Sequence, residues 1–140
     1  MTTRISNASA ILAANAVVDQ LDGAAGTVEI RTGAAPTNVE DADSGTLLAT
    51  LTLPAPAFGA AADGAPNAVA TANAISGTTA VATGTAGHFR VKANGGTALW
   101  QGACGGSGSG EEMELSNTSI ATDQPVSISS WTYTHPELGA

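Results

Sequence analysis

Between residues 6 and 22, apolar side chains recur at three- and four-residue steps: Ile11, Ala14, Val18 and Leu21, with Leu12 and Val17 widening the stripe. That spacing predicts one helix. Ser6 or Asn7 is placed to cap its start, and Gly23 to close its end. The stripe is narrow and alanine-rich, which suits a helix lying flat on a sheet or on a neighbouring subunit. From residue 26 the period changes to two. Residues 26–32 read as a strand with Val28 and Ile30 inward. Residues 46–53 read as a second, with Leu47, Ala49, Leu51 and Leu53 on one face and Leu48, Thr50 and Thr52 on the other. Pro54 and Pro56 end it, because proline donates nothing to a ladder.

The strongest hairpin signal lies in residues 87–102. Phe89, Val91 and Ala93 alternate with His88, Arg90 and Lys92. Asn94-Gly95-Gly96 supplies the positive φ angles of a tight turn, and residues 97–101 return with Leu99 and Trp100. Residues 58–66 show no periodicity, and Phe58 is expected to plug the core from this loop. Residues 69–75 and 78–83 read as weak strands of small residues around a Ser76-Gly77 turn. Residues 102–110, rich in glycine and serine, read as an exposed flexible loop. Residues 113–120 form a further strand, with Met113 and Leu115 at alternate positions. In residues 126–135, Val126 and Ile128 differ in parity from Trp131 and Tyr133. One extra residue near Ser129-Ser130, a β-bulge, would bring all four to the core side; a strand buried on both faces is the alternative.

One N-terminal helix followed by seven or eight short strands predicts a mainly β chain, an antiparallel β-sandwich or a jelly-roll-like barrel. The 140 residues are expected to form a single domain, 1–140, with the helix over 6–22 and the sandwich over 26–136. The chain has only five aromatic residues, two of them in the hairpin, so the core should form around the large side chains there.

Charge narrows the partners. Twelve acids against four bases leave a net charge of −8. No basic stripe exists to neutralise phosphates, so neither nucleic acid nor an anionic membrane surface is an expected partner. The N-terminus lacks an apolar signal core and no apolar run approaches a membrane span, which predicts a chain made soluble in the cytoplasm. His88, Arg90 and Lys92 share one strand face. That face is either solvated or an interface with acids of another copy or another protein.

Chemical motifs are sparse. His88 and His135 sit at strand ends with no fixed spacing, and both are expected to be ordinary surface or strand-end residues rather than a metal pair. Glu40, Asp41 and Asp43 lack the alternation, glycine and closing glutamate of a calcium loop and read as solvated. Glu112 and Glu114 share a strand face and should point to solvent or to a basic partner. The 102–110 glycines are followed by Glu111 and Glu112, not by the Gly-Lys-Ser/Thr of a phosphate cradle. Gly106 to Gly110 lacks the strand-to-helix context of a nucleophile elbow. Cys104, the single cysteine, has no evident base beside it and forms no disulfide within the chain. We therefore expect no enzyme and assign no catalytic, cofactor-binding or metal-binding residue.

Several stretches carry a resemblance. Val28-Glu-Ile-Arg-Thr-Gly-Ala-Ala-Pro-Thr-Asn and Ser44-Gly-Thr-Leu-Leu-Ala-Thr-Leu-Thr-Leu resemble a group of small proteins encoded among the virion genes of tailed bacteriophages. Ala72-Asn-Ala-Ile, Thr85-Ala-Gly-His-Phe-Arg-Val, Leu115-Ser-Asn-Thr-Ser-Ile and Val126-Ser-Ile-Ser-Ser-Trp-Thr-Tyr-Thr are similar to the same group. The likeness runs over nearly the whole chain and rests on small residues and turns rather than on a catalytic signature. It implies a virion structural protein, foremost a capsid decoration or cement protein on the capsid surface. Its partner would be the major capsid protein, with self-association as a homotrimer or another symmetric oligomer. A tail or head–tail component is the nearest alternative. A carbohydrate-binding module is a third, for which Trp100 and Trp131 are the only candidate platform; both are expected to be buried.

Overall fold

A computed structural model describes residues 3–21, 26–64, 67–94 and 96–136. The helix α1 spans Asn7–Val18, and a single 3₁₀ turn, Asp19–Leu21, extends it. Ser6 is the N-cap, its hydroxyl accepting the Ser9 amide at 3.1 Å. The expected Gly23 stop lies outside the described residues. The buried stripe is Ala10, Ala14 and Val18, continued by Leu21. This is rotated from the expected one: Ile11 is only half-buried and Leu12 is 70% exposed. Packing decides the rotation. Ala10 and Ala14 meet Ala68, with Tyr133 alongside, and only small side chains let the helix approach the strand so closely.

Eleven strands follow among the described residues: β1 (Thr27–Thr32), β2 (Leu47–Thr52), β3 (Ala62–Asp63), β4 (Asn67–Thr71), β5 (Thr78–Thr79), β6 (Gly84–Lys92), β7 (Ala98–Gly106), β8 (Met113–Leu115), β9 (Ser119–Ile120), β10 (Pro125–Val126) and β11 (Ile128–Pro136). The main sheet runs β2-β1-β6-β7-β8-β11-β4-β3, with β9 also paired to β6; β10 and β5 form a separate pair. The chain is thus mainly β with one N-terminal helix, as its periodicity predicts, and its mixed sheet covers its core in a sandwich-like way.

The strand count exceeds the expected seven or eight because short pieces escape periodicity. The aperiodic 58–66 loop contains β3; residues 113–120 divide into β8 and β9; residues 126–135 divide into β10 and β11. The largest correction concerns 102–110. Its first half is not a loop: β7 runs on to Gly106 and pairs with β8 in parallel, Cys104 opposite Met113. Glycine here serves close approach. A Cβ on Gly102 would stand 2.8 Å from the Phe89 ring.

Two bulges reconcile the pattern with the core. Between Ile30↔Ala49 and Arg31↔Leu47, β2 carries Leu48 as an extra residue, so Leu48 and Ala49 are both buried instead of alternating. On β11 the register jumps between Ile128↔Leu115 and Ser130↔Glu114, which leaves Ser129 as the extra residue. That is the bulge the Trp131 parity calls for: Val126 and Trp131 are buried, and Ile128 and Tyr133 pack against the same core.

The sheet is strongly curled. β6 and β11 are three strands apart in order, about 14 Å across a flat sheet. Yet the Phe89 and Trp131 rings meet edge to face with centroids 5.4 Å apart. Phe58 enters from its loop, 4.7 Å from Trp131 and 5.8 Å from Trp100, and fills the concavity as expected. We predict that Phe58→Ala lowers unfolding free energy by about 3–5 kcal/mol, through lost burial and a residual cavity. Urea denaturation followed by tryptophan fluorescence measures it; a loss below about 1 kcal/mol would place Phe58 outside the core.

Candidate functional site

The groove with the most concentrated charge lies where β1, β6 and β7 turn their second face outward. Strict alternation exposes His88, Arg90 and Lys92 there. The structure instead buries His88 and Arg90, each only 1% exposed, so the expectation of a solvated face fails. The cover is the 33–46 segment between β1 and β2, which folds back over the sheet as a strap. Its two ends are tied together: the Thr32 amide donates to Thr46 O at 3.1 Å, and the Thr46 amide to Thr32 Oγ1 at 2.8 Å.

Five side chains pin the strap. His88 Nδ1 lies 2.9 Å from Gly33 O, so this nitrogen carries the proton and donates. Gln101 Nε2, on β7, donates to Pro36 O at 2.7 Å. Arg90 donates through Nη2 to Val39 O and through Nη1 to Asp43 Oδ1, the latter at 2.6 Å. Lys92 Nζ and Arg31 Nη2 reach Asp43 Oδ2 at 2.7 and 3.1 Å. Glu29, opposite Arg90 in the β1–β6 register, takes the remaining charge: its carboxylate lies 2.9 Å from Arg31 and 3.1 Å from Lys92.

Three cations and two carboxylates therefore form one network. The interface reading of the basic face is answered within the chain, since its acids are Asp43 and Glu29 rather than those of another copy. Asp43 is the hub and not a solvated loop acid. The hydrogen bond from Lys92 holds its carboxyl below the usual carboxylate range. Burial pushes the other way, while Arg31 and Arg90 add to the lowering. Asp41 serves the strap itself, accepting the Asn38 amide at 2.9 Å, and Glu40 stays at the surface.

Between strap and hairpin tip lies an open cleft of about 380 Å³, walled by residues 39–43 and 96–98 with Arg90 and Lys92 at its floor. Those two cations already bond to the chain's own carboxylates. The arrangement clamps a loop; it does not present a nucleophile with a base. No group of three or more His, Cys, Asp or Glu suited to a metal ion occurs among the described residues.

The other candidates are not brought together. His88 lies under the strap, whereas His135, near the end of β11, pairs through Nδ1 with the Tyr133 hydroxyl at 3.2 Å. Glu112 and Glu114 do not share a fate. Glu114 folds back on the glycine turn, its two oxygens accepting the Gly108 and Gly110 amides at 3.0 Å each, which lowers its carboxyl. Glu112 is half-buried, and desolvation with Glu111 nearby pushes it up. Cys104 is buried with its Sγ 3.8 Å from Met113 Sδ, and burial, aided by Glu111, pushes its thiol up to about 12. Trp100 and Trp131, 7% and 2% exposed, belong to the core and leave no indole platform for sugar stacking.

Sequence reasoning missed the strap because nothing periodic marks it. A signal was available: outward cations on adjacent strands, Arg31 and Arg90 among them, oppose a nearby loop holding three carboxylates. Compared with known proteins, the chain matches no family model, no curated protein and no solved structure.

Two outcomes are expected. Asp43→Asn leaves Arg90 buried without its counter-charge and costs about 3 kcal/mol at pH 7. Because folding lowers the Asp43 pKa, its contribution is complete above the unfolded value of about 3.9 and fades as pH falls through the folded one. The wild-type chain therefore loses stability below about pH 4 more steeply than D43N in paired urea titrations. Cys104, for its part, resists a thiol reagent at pH 8 in the native chain and reacts fully in denaturant; fast native labelling would contradict its burial.

Proposed function

We propose that the chain is a structural protein of a tailed-phage virion, a capsid decoration protein that binds the outer lattice of the major capsid protein and reinforces the head. The observation that supports this reading best is the inward placement of the reactive and recognising side chains. Three of the four Lys and Arg close the strap, and the two indoles fill the core. What remains outside is mostly small, with a helix free of charged residues along Asn7–Val18. Such a surface suits broad, shallow contact with a lattice, where each weak contact is multiplied by symmetry. The resemblance of residues 28–38, 44–53 and 126–134 to phage virion proteins points the same way.

The function asked of the molecule is mechanical. A curled sheet, closed by a strap and filled by interlocking rings, presents a rigid face. Rigid faces lose little conformational entropy on docking, so modest contact area yields useful affinity.

The copy number in purified particles tests the proposal, by quantitative mass spectrometry against the major shell protein. A decoration layer gives a ratio of about one to one, or a simple lattice fraction. A few copies per particle would move the protein to the tail or the head–tail connection, and complete absence would overturn the structural reading.

A further inference from the structure

Helix α1 is apolar on both sides. Ala10, Ala14 and Val18 face inward, whereas Ala8, Leu12 and Ala16, spaced four apart, lie exposed on the opposite side. A helix without a polar face ordinarily has both sides covered. The charges at its ends are also reversed. Arg4 precedes the Ser6 N-cap by two residues and Asp19 is the C-cap, each near the end of the helix dipole that disfavours its charge. Both residues are exposed, and neither forms an ion pair among the described residues.

We propose that this outer face is a self-association surface, on which α1 of a second copy packs antiparallel about a two-fold axis at Leu12. The sequence is self-complementary about that point. Residue 12 is midway between 8 and 16, so Leu12 meets Leu12 of the second copy and Ala8 meets Ala16. The midpoint of 4 and 19 falls beside the same residue, so Arg4 of each copy comes to the Asp19 end of the other. Pairing in this sense also cures the reversed dipole charges: Arg4 lies at the partner helix's C-terminus and Asp19 at its N-terminus. A shallow crossing of about 20° keeps both charged ends within reach.

Charge complementarity selects a second copy as the occupant, because Arg4 and Asp19 stand at opposite ends of one uncharged helix and an antiparallel copy pairs them. Each chain carries a net charge of −8, so two copies approach favourably only through a face without acids at its centre. Residues 7–18 contain no charged side chain. The contact is small. Twelve helical residues span only about 18 Å, too short a contact strip to bury the roughly 800 Å² per partner of a standard interface. The free dimer is therefore weak, and any array of copies strengthens it. The inference stands apart from the virion reading, since it concerns the isolated chain.

Cross-linking of the full-length chain tests it. Leu12→Cys places a thiol on the axis; Val81→Cys, exposed on the strand side, is the control. Native Cys104 is buried and stays out of the reaction. Under mild oxidation, L12C is expected to form disulfide dimers at least about ten-fold faster than V81C. In the L12C background, Arg4→Glu alone or Asp19→Lys alone slows dimer formation about five-fold or more, and the double exchange restores it. The single exchanges improve the isolated helix through its own dipole, so circular dichroism should show helix kept while pairing falls. Equal rates for L12C and V81C, or rates indifferent to the charge exchanges, would overturn the proposal, as would monomers at millimolar concentration in sedimentation equilibrium.

Discussion

A buried arginine needs a carboxylate, and much of the outer architecture follows from meeting that need. Arg90 lies on β6, in the middle of the main sheet, with its side chain on the face away from the aromatic core. Left bare, that face would carry six polar side chains on adjacent strands, Glu29, Arg31, His88, Arg90, Lys92 and Gln101, and would remain wet. The strap brings Asp43 to it, and the carboxylate collects Arg31, Arg90 and Lys92 at once. Desolvating Arg90 alone would be costly; doing so against Asp43, Val39 O and the neighbouring Glu29 is tolerable because the charges nearly cancel. The consequence is a β6 buried on both faces, Phe89 and Val91 on one side and His88 and Arg90 on the other. A strand so enclosed anchors the registers of β1, β7 and β9, all of which pair with it.

The opposite face is organised by shape rather than charge. Few large side chains are present, so the sheet must curl tightly to bring them together. Phe89, Trp131, Trp100 and Phe58 touch in succession with tilted or edge-on rings. Glycine and alanine permit the curl: Gly102 lies against Phe89 where no larger residue fits, and Ala68 admits the helix. The abundance of small residues is thus a packing requirement of a core with few but large members.

What was legible in the sequence follows from which interactions are local. Helix, hairpin and the Ser129 bulge are written in spacing and parity, and they are found where spacing puts them. Strands of two residues leave no period to read, so β5, β9 and β10 are set by partners distant in sequence, and β3 by a short return to β4. The parallel β7–β8 pairing is hidden for a different reason. On β7 it uses Cys104, Gly105 and Gly106, within a run of glycines whose composition suggests a loop. The strap is the clearest case: alternation names the outward residues of β6 correctly, yet outward is not exposed when a loop returns to cover them.

The rotation of α1 carries the same lesson to the surface. Amphipathic reading assigns the largest residues, Ile11 and Leu12, to the buried side. Close packing against Ala68 selects the alanines instead and turns Leu12 outward. A mostly alanine contact buries little area, so it holds the helix with modest energy, helped by the Asn15 side chain accepting the Ala61 amide at 2.8 Å. An apolar outer stripe is costly in a monomer, and end charges opposed to the helix dipole add to that cost. Both costs vanish when an antiparallel helix of like sequence covers the stripe. The interior uses opposite charge to join a strap to a sheet, and the helix ends offer the same complementarity to another copy.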